Sequence, residues 1–388
     1  MPTERLYYTD CYLSTFSAQI AGMAESGRRV YLDRTAFYPS SGGQPNDWGM
    51  LGGRRVLDVI DEDERIAHIL ESPVDATQVE GHIDWSRRYD HMQQHTGQHL
   101  LSAVLVELFQ IPTLSFHMGS EVSSIEIGTK EWTPAHVDSV EERVNQIVWE
   151  ARAVRILFEE AEAVQDLRKP SARTGTLRII EIEGLDRSAC GGTHVRSTAE
   201  LGPIQIRKSE KIRGHVRIEF VCGLRALRRT RQDFRVLSEL ARQSAAPIDR
   251  LPEQISGLRE RLSEAEKERQ RTTMELARRD GEALYHSSAP SPDGARRLLL
   301  RVPAIDEAIR AKAQAFANGS KAVALALASE GRAVLITVSA DSGVHAGTVL
   351  KDTLAGSGGR GGGSAVLAQG SLPNDEVAEK LARALGFS

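Results

Sequence analysis

The sequence predicts an α+β chain of several domains: a small N-terminal β-barrel, an α+β middle domain, a helical linker and a C-terminal α/β domain rich in glycine. Three observations predict it. Short apolar runs broken by turn residues fill the first 87 positions. Helical periodicity mixed with returning strands follows. A charged helical stretch then leads to a last apolar segment with a glycine run. At 388 residues the chain exceeds one typical core, and 40% hydrophobic content suffices for two or three.

In residues 1–87, Arg29-Val30-Tyr31-Leu32 and Val56-Leu57-Asp58-Val59-Ile60 alternate with Gly, Pro, Asn and Asp turns. A small barrel closes such strands. Over residues 90–109 the period becomes helical, and Leu101, Val104, Leu105 and Leu108 define one buried face. A second helix is expected over 137–152, burying Val140, Val144, Ile147 and Val148. Strands are expected again over 154–158, 177–182, 202–208 and 216–222, so 88–225 reads as an α+β domain.

Residues 225–245 are helix-compatible and Arg-rich. Leu251, Ile255, Leu258, Leu262 and Ala265 then step by four and three, as in a coiled-coil seam, which Arg269 and Thr272 interrupt before Leu276 resumes it. The region 226–287 is expected to be a helical linker, either a short coiled coil or a helical hairpin packed on a neighbouring domain. Ser288-Ala289-Pro290-Ser291-Pro292 opens the last domain, 288–388. Strands at 322–328 and 333–338 and helices at 347–354 and 375–385 make it a small α/β unit.

Composition narrows the function classes. Three cysteines, Cys11, Cys190 and Cys222, do not make a disulfide framework and fit a reducing compartment. No apolar stretch reaches transmembrane length, and residues 1–10 lack the order of a secretion signal, so a cytoplasmic protein is expected. A net charge of −4 gives no global pull towards nucleic acid. Local basic clusters do: Arg207, Lys208, Lys211, Arg213 and Arg217, then Arg225, Arg228, Arg229, Arg231 and Arg235.

His95 and His99 stand one helical turn apart and project from one face. Thr96-Gly97-Gln98 between them lacks the Glu of the metalloprotease pattern H-E-x-x-H. Far downstream, Cys190-Gly191-Gly192-Thr193-His194 sets a thiol and an imidazole four apart in a loop with two glycines. A thiolate with three neutral imidazoles is a preferred tetrahedral zinc set. About ninety residues separate the two pairs, so the folded domain must assemble such a site. Cys190 as a covalent nucleophile and as an inert buried thiol are the competing readings; the combined pattern favours zinc. Such an ion either activates water or positions substrate, and the sequence leaves both open.

The pairs His95-x-x-x-His99 and Cys190-x-x-x-His194 resemble the signature of the AlaX family, free-standing relatives of the editing domain of alanyl-tRNA synthetase. Similar too are Phe37-Tyr38-Pro39-Ser40-Ser41-Gly42-Gly43-Gln44-Pro45, Asp84-Trp85-Ser86-Arg87-Arg88-Tyr89-Asp90-His91-Met92, Phe116-His117-Met118-Gly119 and Arg217-Ile218-Glu219-Phe220-Val221-Cys222-Gly223. The resemblance spans residues 35–225. It implies one zinc ion per chain on His95, His99, Cys190 and His194. It implies hydrolysis of the ester joining a wrong amino acid, chiefly serine and also glycine, to the tRNA for alanine. Serine exceeds alanine by one hydroxyl, which a pocket rejects poorly, so a second, hydrolytic site is needed.

By the same resemblance the Gly42-Gly43-Gln44 turn lies near substrate, with an ordinary barrel turn as the alternative; Thr96 and Gln98 stand beside the ligands, either to hydrogen-bond serine or to face solvent, and His117 either lines the pocket or is structural. His91 extends the histidine stripe without an assigned use. The run Gly358-Gly359-Arg360-Gly361-Gly362-Gly363, followed by Ala368-Gln369-Gly370, resembles the signature that closes alanyl-tRNA synthetase and recurs in DHH-type phosphoesterases. It implies tRNA-backbone binding through Gly359, Arg360, Gly361 and Gly362, assisted by Lys211 and Arg213, and a homodimer through the C-terminal domain.

Two rivals remain. One is a non-catalytic tRNA-binding module with structural zinc, since four protein ligands resemble a closed site. The other is a DHH phosphoesterase, for which Asp90-His91-Met92 is an isolated partial match without an acidic two-metal cluster. A complete synthetase is not expected, because no adenylate-forming domain precedes the motifs.

Overall fold

A computed structural model describes residues 2–330 and 332–387. The chain divides into two compact units, Met1–Glu239 and Leu240–Ser388.

The first unit opens with β1 (Glu4–Arg5), β2 (Thr15–Ala24), β3 (Arg29–Leu32), β4 (Arg34–Thr35), β5 (Gly49–Leu51), β6 (Arg54–Glu62), β7 (Arg65–Leu70) and β8 (Gln78–Ile83). Strands β2, β3, β7, β6, β5 and β8 run in that order round a closed barrel, and β8 pairs back onto β2. The two-residue period of a half-wet strand is plain in β8: Val79, Gly81 and Ile83 are buried while Gln78, Glu80 and His82 face out. Val30, Leu32, Phe37, Leu51, Val59, Ile66 and Leu70 fill the interior. Strands β1 and β4 pair in parallel outside the barrel.

Helix α1 (Trp85–Phe109) starts earlier than its periodicity implied, because Asp84 caps it by accepting from Arg87 N. Leu101, Val104 and Leu105 are buried, but Leu108 is 40% exposed. The helix ends at Phe109 and is capped by a left-handed Gln110, and Phe109 rather than Leu108 packs against the core. Strands β9 (Thr113–Met118) and β10 (Ser123–Ile127) follow, then α2 (Pro134–Trp149). Thr133 and a proline in the first turn set the start of α2 three residues before the expected one. Val140, Val144, Ile147 and Val148 form its buried face.

Strands β11 (Val154–Glu160), β12 (Thr176–Ile182) and β13 (Asp186–Ala189) make one antiparallel sheet. Strands β14 (Ile204–Ile212) and β15 (His215–Cys222) extend β10 and β9 into another, in the order β14-β15-β10-β9. Helix α1 is pinned on β15 by Gln94, whose amide donates to Cys222 O and accepts from Cys222 N. Gly97 permits this approach, since a Cβ there would collide with the Cys222 sulfur. The boundary between units falls within α3 (Gly223–Ser244).

The second unit holds α4 (Leu251–Ser287), β16 (Arg296–Val302), α5 (Glu307–Ala317), β17 (Ala322–Ala328), β18 (Ala333–Val338), α6 (Ala346–Leu354), β19 (Arg360–Gly363), β20 (Leu367–Ser371) and α7 (Asp375–Ala384). The sheet order is β16-β17-β18-β20-β19, with β16 parallel to β17 and the other pairs antiparallel. Strand β17 alternates large and small residues. Val323, Leu325 and Leu327 fill a core with α6 and α7, whereas Ala322, Ala324 and Ala326 let α5 lie close on the other face. Ala277 and Gly281 are the buried positions in the second half of α4, and Gly281 is there because a Cβ would strike the Lys312 carbonyl of α5. The seam residues Ile255, Leu258, Leu262 and Leu276 are exposed, so α4 packs through its small residues and not through that seam. No described helix is long and apolar enough to cross a membrane.

Candidate metal centre

Helix α1 delivers His95 and His99; the loop after β13 delivers Cys190 and His194. The four donor atoms lie within 4.8 Å of one another. Cys190 Sγ is 3.5 Å from His95 Nε2 and 3.4 Å from His194 Nε2. A tetrahedron built on metal–nitrogen bonds of about 2.0–2.1 Å and a metal–sulfur bond of about 2.3 Å has nitrogen–sulfur edges of about 3.6 Å. The two sulfur–nitrogen edges match such a tetrahedron, and the four donors are close enough together to hold one ion. All four residues are buried or half-buried.

Two of the rings are held from behind through Nδ1, and the Nδ1 of the third faces a carboxylate. Gln44 Oε1 lies 2.8 Å from His95 Nδ1 and also accepts from Thr193 N, so the oxygen is the acceptor and Nδ1 the donor. Thr96 Oγ1 lies 3.1 Å from His194 Nδ1 and accepts from Val195 N. His99 Nδ1 lies 3.5 Å from Asp186 Oδ2. In the first two rings Nε2 is thereby turned to the shared centre, the arrangement that orients metal-binding histidines. Gly192 completes the loop: a Cβ there would collide with the His95 ring, and its N–H donates to Cys190 Sγ at 3.3 Å.

Electrostatics agree with a cation site. Burial pushes the Cys190 thiol up, but the neighbouring His95 and His194 outweigh it and hold the thiol well below its ordinary range. Burial, then the charge of His95, pushes His194 well below the usual imidazole range. For His99 burial acts downward, yet Asp186 and Cys190 raise the net value. A thiolate facing a neutral imidazole is the ligand state that binds metal.

The centre opens on a cavity of about 610 Å³ whose walls include His95, His99, Cys190, Gln98, Gly42, Phe116, Tyr8 and Arg173. Gln98 lines it and donates to Ser102 Oγ at 2.8 Å. Ser41-Gly42-Gly43-Gln44 is a two-residue turn with left-handed φ at both glycines and backbone bonds between Ser41 and Gln44. Gly42 touches the cavity, Gly43 packs on the Phe116 carbonyl, and Gln44 sits behind His95. Thr96 likewise stands behind a ligand, outside the cavity wall. His117 is exposed and does not line the cavity. Its neighbour Phe116 packs at 5.4 Å from the His95 ring, and adjacent strand residues point to opposite faces.

Sequence reasoning missed Asp186, Thr193 and the pair Arg88–Asp47. Asp186 carried a signal, an acid four residues before Cys190. Arg88 and Asp47 are fully buried partners, and Arg88 also donates to Cys11 O and Ala36 O. They lock the turn that carries Gln44 to α1. Cys11 and Cys222 are buried thiols, and burial raises both.

Part of the basic cluster is paired. Arg207 meets Asp233, Lys208 meets Glu210, Arg217 meets Glu126 and Arg225 meets Asp90. Lys211 and Arg213 are exposed near the β14–β15 turn and do not line the cavity. The glycine run is a strand rather than a loop. A Cβ at Gly359 or Gly361 would meet Leu354 and Leu350, whereas Gly362 has open space and Arg360 is exposed. Gly359 and Gly361 are thus small so that α6 can pack; the strand period leaves Arg360 and Gly362 facing outward.

A family model described as the threonyl and alanyl tRNA synthetase second additional domain matches residues 177–219, and the DHHA1 domain matches 304–386. An alanyl-tRNA editing protein AlaX-L of Pyrococcus horikoshii is 36% identical over 67% of this chain and 66% of its own length. Alanyl-tRNA editing protein Aarsd1-B of Xenopus laevis is 39% identical over 52% of this chain and 51% of its own. An alanine–tRNA ligase of Korarchaeum cryptofilum is 31% identical over 97% of this chain, which spans 44% of the ligase. The chain thus covers from under half to just under two thirds of these relatives. With both domain matches in the order of the long form, the chain belongs to the AlaX family.

Proposed function

We propose that the protein is a hydrolase that removes a wrongly attached amino acid, chiefly serine and also glycine, from the tRNA specific for alanine. The observation that carries this reading is the donor group His95, His99, Cys190 and His194, three of which, His95, His99 and Cys190, line a cavity. One thiolate with three imidazoles suits zinc, one ion per chain. Zinc bound there polarises an ester carbonyl or lowers the pKa of a water to about 7.

The residues around it do the rest. Water adds to the ester carbonyl carbon, the bond to the terminal ribose oxygen breaks, and that oxygen takes up a proton. The ester is spent in the process, so no ATP is consumed. Gln98 lines the cavity and has amide capacity beyond its bond to Ser102, which suits recognition of the serine hydroxyl. Correctly attached alanine would leave that polar group unpaired. Gly42 lets the ester approach closely.

Residues 1–87 and 88–225 form the site. Residues 226–287 link it to a tRNA-binding and dimer-forming part, 288–388, where Arg360 and Gly362 contact phosphates; in the first unit Lys211 and Arg213 do so separately. Free cysteines at 11, 190 and 222 suit the cytoplasm.

Time courses of Ser-, Gly- and Ala-tRNA deacylation, with and without chelator, test the reading. Rapid loss of serine, slow loss of alanine and chelator sensitivity are expected. Equal cleavage of Ala-tRNA rejects quality control, and full activity of a metal-free Cys190→Ala variant rejects the zinc site. Tight tRNA binding without deacylation would instead mark a binding module with structural zinc.

A further inference from the structure

Asp186 is a buried carboxylate that binds no ion in the set of four donors, yet it bridges that set to the cavity wall. Its Oδ2 lies 3.5 Å from Nδ1 of His99, a buried ring atom without a hydrogen-bond partner among the described residues. Its other side is held from the irregular segment 161–175, between β11 and β12. Arg168 Nε donates to Asp186 Oδ1 at 2.7 Å, and Arg168 Nη2 donates to Ser188 Oγ at 2.9 Å. Ser188 Oγ in turn donates to Asp186 Oδ2 at 2.9 Å. The Arg168 backbone N–H also donates to Arg187 O. Just beyond this anchor, Lys169, Pro170, Ser171 and Arg173 line the cavity, with Lys169 and Arg173 exposed.

A carboxylate behind a histidine fixes the ring and keeps a proton on Nδ1, which leaves Nε2 for a cation. We propose that Arg168 and Asp186 are a positioning pair that ties the cavity wall 161–175 to His99, so that metal binding and docking of this wall are coupled. The proposal rests on the reading that the four donors hold zinc and is independent of which ester is cleaved. Coupling of this kind is reciprocal: a docked wall strengthens metal binding, and a bound metal holds the wall. Arg168 itself borders the cavity, and its part in this pair is exerted through Asp186.

The test uses full-length protein with Arg168→Gln, Arg168→Lys and Asp186→Asn. Zinc affinity is read by competition with a chromophoric chelator, and the wall by the rate of tryptic cleavage after Arg173, with and without zinc. Expected are zinc affinities about 10- to 100-fold weaker in Arg168→Gln and Asp186→Asn, with partial recovery in Arg168→Lys. Zinc should slow cleavage after Arg173 in the native chain and not in Arg168→Gln. Native zinc affinity in a folded Arg168→Gln variant overturns the pair, as does equal cleavage of the native chain with and without zinc. Should Asp186→Asn fail to fold, the two Arg168 variants decide alone. A native chain that binds no zinc rejects the metal reading, and this proposal with it.

Discussion

Gln44 and His95 meet through a 2.8 Å contact between Oε1 and Nδ1, although 51 positions separate them in the chain. The same amide accepts from Thr193 N and donates to Thr193 Oγ1 at 2.9 Å. One buried side chain therefore joins the glycine turn, helix α1 and the Cys190 loop. Gln44→Ala removes the acceptor and leaves His95 Nδ1 unpaired. We expect zinc affinity to fall about 10- to 100-fold. Gln44→Glu keeps an acceptor and should lose less. Chelator competition on both variants checks this, and native affinity in Gln44→Ala would show that His95 is aimed by packing alone.

Behind that turn the Arg88–Asp47 pair is removed from water on both sides. Asp47 also accepts from Tyr38 N at 2.7 Å, so the pair fixes the irregular segment leading into the turn. Arg88→Met should cost about 3–5 kcal/mol, because it strands a buried carboxylate. Replacing both partners by apolar residues should cost less than that single change. Urea unfolding of the single and double variants measures the difference; a larger loss in the double variant would contradict the account.

The donor group His95, His99, Cys190 and His194 was legible as a set because four chemically matched residues stand at helix and loop spacings, and no core packing requires that set. Strands such as β3, β17 and β18 were legible from continuous apolar runs. Strand β16 and helix α5 were not. Arg296 and Arg297 dilute the apolar run of the first, and the second buries mostly alanines, which carry little periodic signal. Gln44 and Thr96 read as substrate-binding; their place behind His95 and His194 depends on contacts across 51 and 98 positions. The glycines of β19 read as tRNA-backbone contacts, and the packing against α6 that Gly359 and Gly361 permit was not legible, since composition does not distinguish a glycine that clears a ligand from one that clears a helix.

Acid should act on the barrel through His68. The ring is fully buried, with Nε2 at 2.8 Å from Thr35 Oγ1 and Nδ1 at 3.1 Å from Val30 O. Burial pushes its pKa down to about 4, against which the Val30 carbonyl acts weakly. The unfolded chain takes up this proton near pH 6.5 and the folded chain only near 4, so the unfolded state binds more protons in between. Stability is therefore present in full above about 6.5 and declines as pH falls towards 4, by at most about 1.4 kcal/mol per pH unit from this group. His68→Gln should flatten that slope even where it lowers stability overall. Urea unfolding at pH 7, 6, 5 and 4 compares the slopes; identical slopes would remove His68 as a cause.

Strand β19 separates two reasons for a glycine. At Gly363 a Cβ would come within 2.5 Å of Ala368 Cα, and at Gly361 within 2.9 Å of Leu350, while at Gly362 nothing lies within 4 Å. None of the three has left-handed φ, so packing and not backbone strain decides. Gly363→Ala should cost about 1–3 kcal/mol by overpacking against the neighbouring strand. Gly362→Ala should stay within about 0.5 kcal/mol of the native chain, with a small gain from a stiffer unfolded chain. Thermal unfolding of the full-length variants reads both changes. A loss at Gly362 equal to that at Gly363 would mean that the outward face of β19 is covered by something in the folded protein, and Arg360 beside it would then be buried rather than free for a phosphate.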